Sequence, residues 1–182
     1  RVDKLIITYF IGFEALAIYA IALIIPQQMR DVTKSIIPIF IPKFSELNPK
    51  EVYPKIRKKL LYLIILSIVF GLVMIILAPH LIPLIWSQKY IGSIYYAQLL
   101  IVATVVVLPT IVLMNLLKAQ KKKKEIFKKN IFINFLKIAL MIILIPKFKL
   151  LGVVLSIFIY RIIGSIYAYY LTIKTFTSGS SR

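Results

Sequence analysis

Seven ionisable side chains stand inside stretches of the sequence that are otherwise apolar. Placing an Arg, Lys or Asp at the centre of a bilayer costs about 2.5–3.5 kcal/mol on insertion scales, so such a residue needs a partner, a polar cavity or a route to the interface. Basic side chains held in this way can bind an anion, and acidic ones can pair with them or couple to a cation. The residues are Asp3, Lys4, Arg30, Asp31, Lys34, Lys137 and Arg161.

Arg161 is the most deeply placed of these residues. It lies about eleven residues from either end of its apolar stretch, which at 1.5 Å per helical residue is roughly 15 Å from each interface. An arginine side chain cannot easily reach water over that distance. Two interpretations stay open: Arg161 faces a cavity that binds an anion, or it forms a structural ion pair with Asp3 or Asp31.

A second polar set follows helical spacing. Gln27, Arg30, Asp31 and Lys34 stand at positions i, i+3, i+4 and i+7, so a helix places them on one face. Two cations and one acid leave this face net positive. It either lines a cavity for an anionic ligand or carries an Asp31–Lys34 pair where the helix leaves the bilayer.

Further along the chain, Asn130, Asn134 and Lys137 also share one predicted helical face. Lys137 lies only about 10 Å along the helix from a lysine-rich stretch. Its side chain can therefore either reach the interface or line a cavity. Asp3 and Lys4 are candidates for coupling or pairing.

The elements that must position these residues are membrane helices. The composition is 60% hydrophobic, and the mean hydropathy is +0.92. A soluble fold of 182 residues needs a polar outer face, and the long apolar runs leave no room for one. The fold class is therefore predicted to be all-α, a polytopic membrane helix bundle with about six transmembrane helices.

The predicted hydrophobic segments differ in length and regularity. The second would span roughly 42 Å as a helix, more than the hydrocarbon core of about 30 Å, so it must tilt, kink or protrude, with Pro26 and Pro38 as kink sites. Gly12 and Glu14 mark a tight reversal before it, and residues 146–150 form a tight turn. The six segments are residues 1–13, 15–42, 60–78, 95–117, 131–145 and 151–173.

The formal net charge of +18 is concentrated between the apolar segments. The stretches 43–59 and 118–130 carry six and seven cations, whereas the alternate connections carry two at most. This alternation predicts that both basic loops and the C-terminus are cytoplasmic. The lysine-rich run from Lys118 lacks interleaved aromatics apart from Phe127. We therefore interpret it as a solvated loop, ahead of an anionic-lipid contact or a nucleic-acid patch.

Several function classes are disfavoured. The chain has no cysteine and a single histidine, His80, so disulfides are excluded and a metal site is not expected. A phosphate-binding glycine loop, a nucleophile set with histidine and a useful acid pair are all missing, so the chain is not predicted to be an enzyme, and no cofactor is predicted. Small residues on a four-residue repeat that Tyr160 interrupts indicate close helix packing instead: Gly152, Ser156, Gly164 and Ala168.

Three stretches of the sequence combine small residues, proline and charge in loose patterns. They are Asp3-Lys4-Leu5-Ile6-Ile7 through Gly12 with Ala17-Ile18-Tyr19 and Ala22, then Pro42-Lys43-Phe44-Ser45-Glu46-Leu47, and finally the lysine-rich stretch followed by Asn130, Asn134, Pro146 and Leu151-Gly152-Val153. Together they resemble the second half of bacterial polysaccharide transporters, the Wzx-like flippases of O-antigen or other lipid-linked oligosaccharides within the MATE-like superfamily. The resemblance covers about residues 3–175.

The resemblance implies twelve helices in two six-helix bundles, with residues 1–175 as the C-terminal bundle, its first helix truncated, and 176–182 as a flexible tail. The implied activity is to turn an oligosaccharide on polyprenyl pyrophosphate across the cytoplasmic membrane by alternating access. The partners would then be that lipid-linked oligosaccharide, membrane lipids and the N-terminal half of the same protein, with no nucleic acid. The expected cavity cations are Arg30, Lys34, Lys137 and Arg161, with Asp3 and Asp31 for coupling or pairing.

Three alternatives remain at the sequence level. A multidrug or metabolite exporter of the same superfamily would be expected to favour acids, whereas the cations within the spans outnumber the acids five to two. A non-transporting membrane scaffold for polysaccharide assembly is the second alternative. A membrane-embedded glycosyltransferase is the third, and the acid pairs and large soluble loops expected of it are absent.

Overall fold

The computed structural model describes residues 2–45, 49–119 and 123–178, and within these ranges it is helical without strands. The long central helix α5 packs against α2, α3, α4 and α6 and so organises the bundle. The all-helical fold class predicted from the composition is confirmed. The helices are α1 (Val2–Phe10), α2 (Phe13–Ala22), α3 (Ile24–Ser45), α4 (Pro49–Trp86), α5 (Ser93–Ala119) and α6 (Lys123–Ser178), with a short 3-10 turn at Gln88–Tyr90.

α1 and α2 form an antiparallel pair that reverses at Gly12. The backbone of Gly12 has φ 107°, a left-handed conformation that an L side chain rarely adopts. The helix before it closes with Ile11 and Gly12 both donating their N–H to the carbonyl of Ile7. The predicted reversal is confirmed, and it brings Asp3 on α1 beside Tyr19 on α2.

The predicted second segment is interrupted between α2 and α3 at Leu23. Pro26 has no N–H to donate to the carbonyl of Ala22, so the regular hydrogen-bond ladder cannot continue there. Leu23 keeps a helical conformation (φ −79°, ψ −18°) and bonds back to Tyr19. The two helices therefore follow one another around a break at the predicted Pro26 site. α3 then runs past Pro38 to Ser45.

α4 continues through two prolines that lie between the predicted segments 60–78 and 95–117. It extends to Trp86, so the predicted end of the segment at residue 78 is wrong, and Pro79 and Pro83 stand inside the helix. The carbonyl of Ile75 loses its helical donor at Pro79, and Gln98 Nε2 of α5 donates to it at 3.3 Å. A neighbouring helix thus satisfies the backbone group that proline leaves unpaired, as membrane helices commonly allow.

α6 folds back on itself at Lys149, whose backbone (φ 49°, ψ −128°) is non-helical. A Cβ added at Gly152 would lie 2.3 Å from the carbonyl oxygen of Leu144, a proximity that a straight helix excludes. The rings of Phe132 and Tyr167, 6.1 Å apart, show that the two arms remain adjacent along their length. The tight turn predicted at residues 146–150 is confirmed.

Within the residues that the structure describes, three helical stretches are long and apolar enough to cross a membrane: Leu60–Trp86, Ser93–Asn115 and Ile126–Lys174. Only 11% of the most apolar 18-residue part of Leu60–Trp86 is buried inside the chain. Contiguous exposed apolar surface of this extent is not stable in water. The exposed faces of Leu60–Trp86 are therefore suited to contact with lipid. Together the three stretches indicate a membrane-embedded protein.

The basic stretches are more helical than predicted. α3 reaches Ser45 and α4 begins at Pro49, so residues 43–59 are not a continuous loop, and positions 46–48 lie outside the described residues. Likewise α6 starts at Lys123 rather than at Ile131. It extends to Ser178, which takes the helix into the predicted tail, while 179–182 lie outside the described residues. Lysine has good helix propensity, so a cationic stretch can continue a helix out of an apolar segment.

Candidate functional site

A cavity of about 490 Å³ lies between the α1–α3 segment and the two arms of α6. It gathers most of the polar residues that the sequence singled out, and they come from four different parts of the chain. Three of the four predicted cavity cations line it. The polar lining consists of Asp3, Tyr19, Gln27, Arg30, Asn134, Lys137, Tyr160 and Arg161.

Helical spacing explains how each wall is built. On α2 and α3 the lining residues are Tyr19, Leu23, Gln27 and Arg30, which recur at intervals of four, four and three residues along one face. The arms of α6 contribute residues 134, 137, 138 and 141 and then 157, 160 and 161, again at helical spacing. Since the arms are antiparallel, Lys137 meets Tyr160, and its ammonium stands 5.8 Å from that ring centroid.

Asp3 carries the negative charge of the cavity. It is only 7% exposed, and its Oδ2 accepts a hydrogen bond from the Tyr19 hydroxyl at 3.1 Å. The ammonium of Lys137 lies 3.6 Å from the same oxygen. α1 is thereby linked to both α2 and the first arm of α6. Of the two roles predicted for Asp3, coupling and pairing, the structure shows pairing, with the ammonium of Lys137 and the hydroxyl of Tyr19.

Arg161 is not held by an acid. The residue is 6% exposed, and Nη1 donates to Thr104 Oγ1 at 2.7 Å and to the carbonyl of Leu100 at 3.4 Å. Within the described ranges no carboxylate forms an ion pair with it, and its buried Nε finds no hydrogen-bond partner there. Of the two interpretations, the structure places Arg161 at a cavity rather than in an ion pair with Asp3 or Asp31.

Lys34 is placed differently from the prediction. It does not line this cavity but a second one, and its ammonium lies 2.7 Å from Asp31 Oδ1 on the same helix. Helical spacing predicts the direction of these side chains correctly. Lys34, however, lies one turn beyond Arg30, where the cavity has ended. The Asp31–Lys34 pair is confirmed, and Gln27 and Arg30 take the cavity-lining alternative.

Two residues near the site lie outside it. Lys4 is exposed and is not among the lining residues, and neither is Asn130, although Asn134 and Lys137 of its predicted face are. Three contributors were missed from the sequence: Tyr19, Tyr160 and Thr104. Extending the face of Gln27 backwards by two turns would have found Tyr19. Thr104, 57 residues from Arg161, gave no such signal.

The cavity combines positive charge with neutral donors. Among the lining residues that the structure describes, Arg30, Lys137 and Arg161 are basic and Asp3 is acidic, so the lining carries more basic than acidic side chains. Two tyrosines, an asparagine and a glutamine add hydrogen-bonding groups. Among the residues described, none group as three or more His, Cys, Asp or Glu side chains able to hold a metal ion. Such a lining can bind a multiply charged anion through charge-assisted hydrogen bonds.

Comparison of the chain with family models, curated proteins and solved structures finds no match.

Proposed function

We propose that this chain binds the charged head of an anionic lipid-linked substrate and takes part in moving it across a membrane. One observation carries the proposal: Arg30, Lys137 and Arg161 arrive from three helical segments at one cavity, and Asp3 is the acid among its described lining residues. A buried cation such as Arg161, which has no carboxylate partner within the described ranges, is costly unless an anion completes the site. An intramembrane ionisable residue is by default a candidate for a substrate pathway.

The substrate class that fits best is an oligosaccharide on polyprenyl pyrophosphate. A pyrophosphate offers several anionic oxygens, which match a planar guanidinium in bidentate fashion and an ammonium as a point charge. The amides of Gln27 and Asn134 and the hydroxyl of Tyr160 can donate to sugar or phosphate oxygens. The polyprenyl chain would remain in lipid beside the apolar outer faces.

The proposed transporter contains six membrane spans in the part formed by this chain. The three apolar stretches would be completed to six spans by α1, by α2 with α3, and by the division of Ile126–Lys174 into its two arms. Residues 1–175 would form the C-terminal bundle of a two-bundle transporter. The basic stretches and the C-terminus would face the cytoplasm under the positive-inside rule. The reaction would be translocation by alternating access, without enzymatic turnover.

The experiment is complementation of a flippase-null strain by the full-length protein. Arg161→Ala should abolish surface polysaccharide while membrane levels stay normal, and Arg161→Lys should retain part of the activity because it keeps the charge but loses the fork geometry. Lys89→Ala, at an exposed position outside the cavity, is the matched control and should complement fully.

Two outcomes would contradict the proposal in different ways. If both Arg161→Ala and Arg30→Gln complement fully, the proposed role of the cavity cations is refuted. If the wild-type protein in proteoliposomes fails to flip lipid-linked oligosaccharide although cells need it, the scaffold alternative is supported. Transport of organic cations in the same vesicles would instead support an exporter.

A further inference from the structure

A second cavity, of about 320 Å³, lies between α3, α5 and the beginning of α6. Among the described lining residues, none is shared with the cavity that contains Arg161. No carboxylate stands among the lining residues that the structure describes. The polar lining consists of Lys34, Lys118, Lys129, Thr110 and Asn115.

Lys129 is the key residue of this second cavity. It is only 8% exposed, and no described residue forms a hydrogen bond or ion pair with it. Withdrawing a lysine side chain largely from water without a counter-charge is costly. Because Lys129 lines the cavity, an anion bound there can pair with its ammonium.

The other two lysines add charge from separate helices. Lys118 is exposed near the end of α5, and Lys34 on α3 is exposed and paired with Asp31. Asp31 does not line the cavity, so the excess positive charge inside it comes mainly from Lys118 and Lys129. The ammonium groups of Lys118 and Lys129 around one small volume repel each other, and an anion between them relieves that repulsion.

We infer that this second cavity binds a phosphate group, carried by an anionic lipid headgroup or by a free phosphate. A phosphate oxygen accepts strong hydrogen bonds from ammonium donors, and the hydroxyl of Thr110 and the amide of Asn115 supply neutral partners. The inference uses different residues from the proposed transport cavity, so either site can fail without the other. Both sources share the same chemistry at the lysines.

The test measures binding to the purified full chain in a neutral detergent. Phosphatidylglycerol, inorganic phosphate and zwitterionic phosphatidylcholine are titrated separately, and bound ligand is counted by native mass spectrometry. Phosphatidylglycerol or phosphate should bind more tightly than phosphatidylcholine, and Lys129→Gln should weaken that binding about tenfold. Lys147→Gln, at an exposed position on the turn of α6, should leave it unchanged.

The two anionic arms identify the source. If inorganic phosphate displaces phosphatidylglycerol, the phosphate group alone provides the affinity. If only the lipid binds, its acyl chains also contribute to binding. Either result supports the inference. Equal binding of all three ligands, or binding that Lys129→Gln and Lys147→Gln change to the same extent, would overturn it.

A stability measurement separates ligand binding from folding. Lys129→Met removes a buried charge, so it should raise the melting temperature of the ligand-free chain and abolish the further rise produced by the anion. A lower melting temperature with the anion effect retained would contradict the inference. If neither Lys129 variant folds, Lys118→Gln at the exposed side of the cavity must weaken anion binding several-fold, and failure to do so overturns the inference.

Discussion

Arg161 Nη1 donates a hydrogen bond to Thr104 Oγ1 at 2.7 Å, and Thr104 in turn donates to the carbonyl of Leu100 on its own helix. The buried threonine hydroxyl therefore accepts from the guanidinium while it remains bonded to α5. This arrangement fixes the second arm of α6 against α5. It also orients a cation that has no carboxylate partner in the described part of the chain.

The Thr104 hydroxyl should contribute measurably to stability. Thr104→Val keeps the side-chain shape but removes the closer acceptor of a buried charged donor and leaves only the carbonyl of Leu100 at 3.4 Å, so it should cost about 1.5–3 kcal/mol. Thr104→Ser keeps the hydroxyl and should recover most of the loss. The measurement is thermal unfolding of the chain in detergent.

The matched control for Thr104 is Thr172, which is also buried and whose hydroxyl bonds only to the carbonyl of Ala168 on the same helix. Thr172→Val should therefore cost clearly less than Thr104→Val. Equal losses in the two variants would mean that the guanidinium gains nothing from Thr104.

The ion pair between Lys137 and Asp3 should show energetic coupling. The two groups are mostly buried and lie 3.6 Å apart, so the removal of either one leaves the other desolvated. A double-mutant cycle of Asp3→Asn and Lys137→Gln should give a coupling free energy of about 1 kcal/mol or more. Unfolding of the four proteins in detergent provides the values.

The exposed pair Lys34–Asp31, at 2.7 Å, is the comparison for that cycle. Exposed pairs on a helix contribute about 0.3–0.5 kcal/mol despite good geometry. The same cycle at this pair should therefore yield the smaller coupling. A larger coupling at Lys34–Asp31 than at Lys137–Asp3 would contradict the burial that distinguishes them.

The sequence predicted the angular placement of the site residues better than their depth. Charges inside apolar runs are expensive, so Arg161 and Lys137 could be singled out, and the helical period put Gln27 and Arg30 on one face. The period gives the direction of a side chain, but not the height at which a cavity ends. Lys34 was therefore assigned to the wrong cavity.

Contacts between distant segments and the ends of helices had no equivalent signal. Nothing in the spacing of Thr104 and Arg161 joins them, because helix packing alone brings them together. The length of α4 was underestimated because Pro79 and Pro83 are strong breakers in water. Their lost hydrogen bonds can be replaced by a neighbouring helix, and Gln98 provides one such replacement.

That replacement predicts a suppressor relationship between Gln98 and Pro79. Gln98→Leu should destabilise the chain by about 1 kcal/mol, because the carbonyl of Ile75 loses its donor. In a Pro79→Ala background the regular helical N–H can bond to Ile75, so Gln98→Leu should then cost little. Unfolding in detergent measures both, and the same cost in the two backgrounds would exclude the proposed compensation.

The turn of α6 should be intolerant of any side chain at Gly152. A Cβ there would lie 2.3 Å from the carbonyl oxygen of Leu144, a rigid backbone atom, whereas at Gly164 the nearest atom is the end of the Ile133 side chain at 3.5 Å. Gly152→Ala should therefore force the two arms apart and lower stability by about 1–3 kcal/mol. Gly164→Ala should be neutral or slightly stabilising, since alanine favours helix by about 1 kcal/mol over glycine.

Because the same arms carry Lys137 and Arg161, Gly152→Ala should also open the cavity between them. In an Asn134→Cys background, the introduced thiol should then react faster with a polar thiol reagent. Unchanged stability and accessibility would mean that the arms do not approach as closely as the structure shows.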